Sequence, residues 1–356
     1  MTTSPGRRRS LGRAWPWIKY GGGIALGALA LWVVAGRRGE LSGASHYLDH
    51  LRWQWLVIAA AVELASFVAF AALQGRLLEA GGVRIPLRRL TAVTLASTAI
   101  ASSIPAGPLV SSVFAYRQYR RYGADGALAT WTLAAVFVTA AVSLAVVAGA
   151  GLAIAGAEGA NLDLVGVTAG VLAAALVMGA LFLQRRIAVW VITGAVRLSS
   201  RWIRWPQGDV AARVDTFVLR LTTVVLSGPR IARAAGWGLA NWIFDCGCLA
   251  LSFLAVGVGV PWKGLLLAYG AGQLAANLPI TPGGLGVVEG SLTIALVAFG
   301  GSETSTVAAV LLYRILSFWI VLPIGWGTWA ALVWSDRRAW PEDEIVPVPD
   351  TAEVTR

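Results

Sequence analysis

With 356 residues, 57% hydrophobic and only 13% charged, and a formal net charge of +11, the chain carries about half the charge fraction of an average soluble domain. A mean hydropathy of +0.69, together with several apolar runs near the roughly 20 residues that cross a bilayer, excludes a soluble enzyme or a nucleic-acid-binding domain. The excess positive charge then belongs to loops that face anionic lipid.

In chain order, a basic stretch over residues 1–15 (Arg7, Arg8, Arg9, Arg13) precedes an apolar run over 16–36. That run is longer than a signal-peptide core and lacks a small-x-small cleavage site, so it reads as a retained signal anchor with its basic flank in the cytoplasm. His46 and His50 follow without partner ligands, and no metal site or cofactor is expected. Further apolar segments cover 53–73, 90–104, 106–116, 127–157, 164–184, 236–260, 264–279, 284–300 and 305–334. Cys246 and Cys248 lie inside one of them, two residues apart, and read as buried small hydrophobes.

Arginine-rich loops mark the cytoplasmic side. They are 1–19, 74–89, 117–121, 185–233 and the pair Arg337 and Arg338, whereas 157–163 and 300–304 have no basic excess. A single crossing by 90–116 would put two basic loops on opposite sides. The conflict disappears if 90–104 enters from the cytoplasm, turns at Ile104-Pro105-Ala106-Gly107-Pro108, and returns. An arm of 15 residues reaches only roughly 22 Å, short of the ~30 Å of hydrocarbon. The same reasoning makes 264–279 and 284–300 a second re-entrant hairpin, opening to the opposite side.

The expected architecture is therefore an all-α polytopic membrane protein with about six spanning helices and two oppositely oriented re-entrant helical hairpins. Repeat one covers about 53–157 and repeat two about 236–334 within a membrane domain over 16–335. The two form an inverted repeat, a transporter signature. Residues 185–233 are expected as a cytoplasmic amphipathic segment, with Trp190, Trp202 and Trp205 among the arginines; a solvated linker is the alternative. The tail 336–356 is expected to be disordered.

Residues 278–290 read LPITPGGLGVVEG, two prolines, four glycines and a carboxylate in an apolar run. Broken backbone at membrane depth is tolerated only when buried in protein or lining a wet cavity. A helix N-terminus at the tip of each hairpin would offer N–H groups and a positive dipole end to an anion such as phosphate. Pro282, Gly283, Gly284 and Gly286 would let the backbone approach that ligand, with Pro105 and Gly107 in the same role in the first half. The alternative is that these small residues only permit close helix packing.

Intramembrane ionisable residues are costly and raise functional hypotheses. Glu289 and Arg314 are read as partners, either as a substrate site or as a buried ion pair that fixes packing. Asn277 and Gln273, at i and i+4, face one cavity. Arg117, just beyond the first hairpin, is either a lipid-phosphate ligand or a positive-inside anchor. Glu63 and Asp245 occupy similar places in the first helix of each repeat and are candidate proton-coupling residues, or balance arginines. No nucleophile–base–acid set and no phosphate-binding loop with its lysine appears, so neither an enzyme nor an ATP-driven pump is expected.

The 278–289 motif resembles the flippase-like membrane domain of lysylphosphatidylglycerol synthases and the related standalone UPF0104-type integral membrane proteins. Ile104 to Pro108 followed by Tyr116-Arg117 resembles that family's first-half motif, and the similarity spans 20–335. It implies lipid translocation, with Pro282, Gly283, Gly284 and Glu289 as candidate site residues. The chain departs from many relatives at Ala106-Gly107-Pro108-Leu109, where they carry an Arg-x-Gly-Glu-type sequence. A soluble aminoacyltransferase domain is absent from the sequence, so lipid aminoacylation is not expected.

The expected function is movement of a phospholipid or a polyprenyl-phosphate-linked lipid between leaflets of the plasma (inner) membrane, with both termini cytoplasmic. Anionic headgroups at the basic surface are expected partners; a second copy of the chain and a lipid-modifying enzyme are further candidates, and nucleic acid is not one. The alternative is a non-transporting scaffold or accessory subunit of a lipid- or glycan-modifying enzyme.

Overall fold

A computed structural model describes residues 51–104, 107–156, 170, 228–276 and 282–339, and the regular structure among them is entirely helical. Long alanine- and leucine-rich runs without internal proline give α1 (Trp53–Ala80), α4 (Gly126–Gly156) and α5 (Gly228–Val256). The last long helix runs as α8 (Glu303–Arg314), a π-helical turn (Ile315–Trp319) and α9 (Val321–Ala339). These four helices, at 28, 31, 29 and, for Glu303–Ser335 of the last, 33 residues, are long and apolar enough to cross a membrane. The protein is an integral membrane protein. The expected spans at 16–36 and 164–184 lie outside the described residues, as do the tail beyond 339 and most of 185–233. One boundary moves. Residues 228–233, expected in the surface segment, open α5 instead. Pro229 sits in the first turn, where its missing N–H is harmless.

The remaining helices are short. They are α2 (Leu87–Ser103, 17 residues), α3 (Gly107–Arg121, 15), α6 (Trp262–Ala276, 15) and α7 (Val287–Ala298, 12). At 1.5 Å per residue they reach about 18–26 Å, less than the hydrocarbon core. α2 stops where Ile104 turns extended, at φ −131° and ψ 148°. Ile104 precedes Pro105, and the residue before a proline is driven out of the helical region. α3 runs through Arg121, five residues past the expected end at 116.

The packing reads the same from either half. α1 and α5 pack against each other; α2 packs on α9, as α6 packs on α4; α2 pairs with α3, as α6 pairs with α7; α1 touches α4, as α5 touches α8. Both cross-half contacts are backbone-close. Gly151 of α4 lies on the backbone of Leu266 and Leu267 in α6, and Gly325 of α9 lies on the Leu95 carbonyl in α2, with no room for a Cβ at either. In lipid, where apolar tails give helices little reason to associate, such close packing is a main source of cohesion.

Candidate functional site

After α6 the chain resumes in a 3-10 turn, Pro282–Gly284, and enters α7 through Leu285 and Gly286. Gly283, Gly284 and Gly286 all have positive φ, at 63°, 67° and 80°. Only glycine adopts this left-handed backbone at low cost, so the turn requires them. The position of a Cβ on Gly283 is already filled by the Phe318 ring and lies 3.2 Å from the Ser102 carbonyl oxygen. The second break in the chain therefore touches the end of α2, beside the first break. Trp326 Nε1 donates to Ser103 Oγ at 3.1 Å, tying α9 to the same place.

Arg314 holds this turn. It is 7% exposed and ends α8, at the start of the π-helical turn. Its Nε donates to Glu289 Oε1 at 2.7 Å, one Nη donates to the Gly283 carbonyl at 3.0 Å, and the guanidinium lies 4.4 Å from the centre of the Phe318 ring. The π turn places Phe318 under the guanidinium; such turns are frequent at functional sites. Glu289 spends its other oxygen locally: Gly286 N–H donates to Oε2 at 2.6 Å. Removing either partner would leave the other charge buried and unpaired, which costs about 3–5 kcal/mol.

A second cluster lies beside the first, one helical face away. Asp245 of α5 accepts from Tyr269 Oη (2.6 Å) and Gln273 Nε2 (3.2 Å) at Oδ2, and from Tyr313 Oη (2.9 Å) at Oδ1. Gln273 also donates to Tyr313 Oη at 3.1 Å. Glu63, from α1 in the other half, is buried and faces Asp245 and Cys248. Tyr313 and Arg314 are neighbours in sequence, so one turn of α8 serves both clusters.

Several expected site residues thus converge: Gly283, Gly284, Gly286, Glu289 and Arg314 at the tip, with Gln273, Asp245 and Glu63 next to them. Pro105 and Asn277 lie outside the described residues. Pro282 opens the 3-10 turn. Glu289 caps its own helix and braces Arg314, as the ion-pair alternative has it, so the N-terminus of α7 is already partly satisfied. At Gly107 the Ala101 carbonyl occupies the place of a Cβ, as the Phe318 ring does at Gly283. Arg117, expected just beyond the second arm of the first hairpin, lies within α3 and is exposed, ten residues or about 15 Å along the helix from Gly107. Sequence reasoning missed Tyr269, Tyr313 and Phe318. Tyr269 lies at i−4 from Gln273 and Phe318 at i+4 from Arg314, spacings that could have drawn attention to them.

The model for the lysylphosphatidylglycerol synthase TM region matches residues 22–325, from before α1 into the first turns of α9. The chain belongs to this family. Two UPF0104 membrane proteins of Methanothermobacter thermautotrophicus (strain Delta H) are similar over shorter stretches, at 32% identity over 87 residues and 39% over 80. Those stretches are 24% and 22% of this chain, and the chain spans only 26% and 23% of the length of the curated relatives it matches. The family match covers both backbone breaks and both buried clusters.

Proposed function

We propose that this protein moves a phosphate-bearing lipid, a phospholipid or a polyprenyl-phosphate-linked lipid, between leaflets of the plasma membrane, as a transporter and not an enzyme. The observation that carries this reading is Arg314, a buried cation at a backbone break that holds both Glu289 and the Gly283 carbonyl. A guanidinium fork suits phosphate oxygens, and an intramembrane ionisable residue is a functional-site hypothesis by default. Phosphate would meet Arg314 between the two breaks, with acyl chains left in lipid. Two helical pairs too short to span and a packing pattern shared by both halves support two opposed re-entrant hairpins in an inverted repeat. In that arrangement one repeat moves against the other to alternate access. Basic loops support cytoplasmic termini at both ends.

The decisive experiment is a leaflet-exposure assay on the purified chain in liposomes with a panel of anionic, zwitterionic and polyprenyl-phosphate lipids. Faster exchange of a phosphate lipid by the wild type, lost in Arg314→Gln, is expected. No exchange of any lipid, together with co-purification of a lipid- or glycan-modifying enzyme, would establish the scaffold role instead. Topology is tested by single cysteines at 104 and 122 in a background lacking Cys246 and Cys248. Labelling of 122 from the cytoplasm with 104 protected supports the hairpin; labelling from opposite sides sinks it.

A further inference from the structure

Glu63 is 5% exposed and its Oε2 has no hydrogen-bond partner among the described residues. Its carboxyl faces that of Asp245 where α1 packs on α5, with Val62 Cγ1 at 3.4 Å from the place of a Cβ on Gly247. Two carboxyl groups set against each other inside a bundle are tolerated only if one of them carries a proton. Asp245 needs none, because Tyr269, Gln273 and Tyr313 already aim three donors at its two oxygens. The shell of Asp245 is built for an anion, and the shell of Glu63 is not.

We infer that Glu63 and Asp245 form one proton-binding site, in which Glu63 carries the proton and donates it to the Asp245 carboxylate. The surroundings contain few other ionisable groups. On α5 they are Cys246 and Cys248; on α6, Tyr269; on α8, Tyr313 and Arg314, whose positive charge acts on Asp245. α4 and the π turn carry no ionisable side chain, and α2 carries only Arg88 and Arg89 in its first turn. Loss of the proton would set two negative charges in contact inside the bundle, where charge is weakly screened.

That repulsion has a mechanical outlet. Glu63 belongs to α1, whereas Asp245 is tied through Tyr269 and Gln273 to α6, the arm leading to the second break. Through Tyr313 it is tied to the turn of α8 that carries Arg314. Proton loss pushes α1 away from this assembly; proton binding draws them together. The coupling of this proton to lipid movement rests on the translocation reading above; the proton site itself does not.

The test uses the full chain in lipid nanodiscs, with infrared difference spectra recorded across a pH step. A carbonyl band of a protonated buried carboxylic acid is expected, shifted in D2O and lost at alkaline pH. Glu63→Gln should abolish it, and Asp245→Asn should shift it because the acceptor changes. Glu289→Gln should leave it in place. A band unchanged in both Glu63→Gln and Asp245→Asn overturns the site. So does the absence of a band together with sodium-dependent thermal stabilisation, which would make the pair a cation site. A transport arm separates the two readings: translocation in liposomes should vary with pH in the wild type and become pH-independent in Glu63→Gln. The predicted band without translocation of any lipid leaves the proton site standing and removes the transporter; pH-dependent translocation without the band does the reverse.

Discussion

In the first half of the molecule Tyr119 on α3 donates to Gln74 on α1 at 2.7 Å, Gln74 donates to Thr94 on α2 at 2.9 Å, and Thr94 donates to the Leu90 carbonyl. In the second half two tyrosines and a glutamine, on α6 and α8, converge on Asp245 of α5. Both clusters are anchored on the first helix of a half, and both are buried. The first is neutral and ends on a backbone carbonyl, so every member of the chain is matched. The second ends on a carboxylate that reaches across to Glu63 in the opposite half. A neutral, closed network rigidifies; an ionisable one that bridges two halves can change its charge and with it their fit. The first half is braced where the second is poised.

The comparison can be broken most sharply at Arg314. Arg314→Ala should cost about 3–5 kcal/mol in denaturant unfolding in detergent, because Glu289 is left charged and buried. The double variant with Glu289→Ala should recover most of that stability and none of the translocation. A single variant as stable as wild type would show that the second half is not poised on this pair. Next comes Asp245→Asn. It turns an acceptor into a donor facing a tyrosine hydroxyl and should cost about 1–3 kcal/mol, with the loss concentrated in hydrogen-exchange protection of α6 and α8.

Gly283→Ala probes the tip. A non-glycine residue at φ 63° costs about 1–2 kcal/mol, and the Phe318 ring adds a clash. Phe318→Ala in the same chain should relieve the clash and leave the backbone cost, so a double-mutant cycle should show positive coupling. The smallest effect is expected from Tyr119→Phe. Loss of one neutral hydrogen bond should lower stability by about 1 kcal/mol while leaving the translocation rate and its pH profile as in the wild type. A changed pH profile in this variant would erase the distinction between the two halves.

Much of the helical layout was legible from hydropathy and punctuation. Long apolar runs marked α1, α4, α5 and the α8–α9 helix, because a bilayer leaves backbone groups no partner but their own helix. Pro105 and the Pro282-Gly283-Gly284 run marked the breaks, since proline removes a donor and forces its predecessor out of the helix. The Glu289–Arg314 pair was legible because an unpaired charge in hydrocarbon is costly. The end of α3 was not, because Arg117, Arg120 and Arg121 looked like loop anchors by charge alone, whereas nothing in their backbone breaks a helix. Gly107 was legible only in part: a glycine next to a break signals close approach but does not say whether a ligand or the chain itself approaches.

The sequence by itself determined that this chain is a helical membrane protein, where its helices are interrupted, and which few ionisable side chains enter the apolar region. Those properties follow from local composition, hydrophobic length and the chemistry of proline and glycine. Only the tertiary structure decided which groups meet. Glu63 and Asp245 come from different halves, and their contact arises from the packing of α1 on α5. Tyr269 and Tyr313 became donors to one carboxylate because α6 and α8 pack around α5. Glu289 became a brace because the π turn at Ile315–Trp319 brings Arg314 and Phe318 to the tip together. Long-range pairing of this kind depends on how helices cross in three dimensions, and no window along the chain carries that geometry.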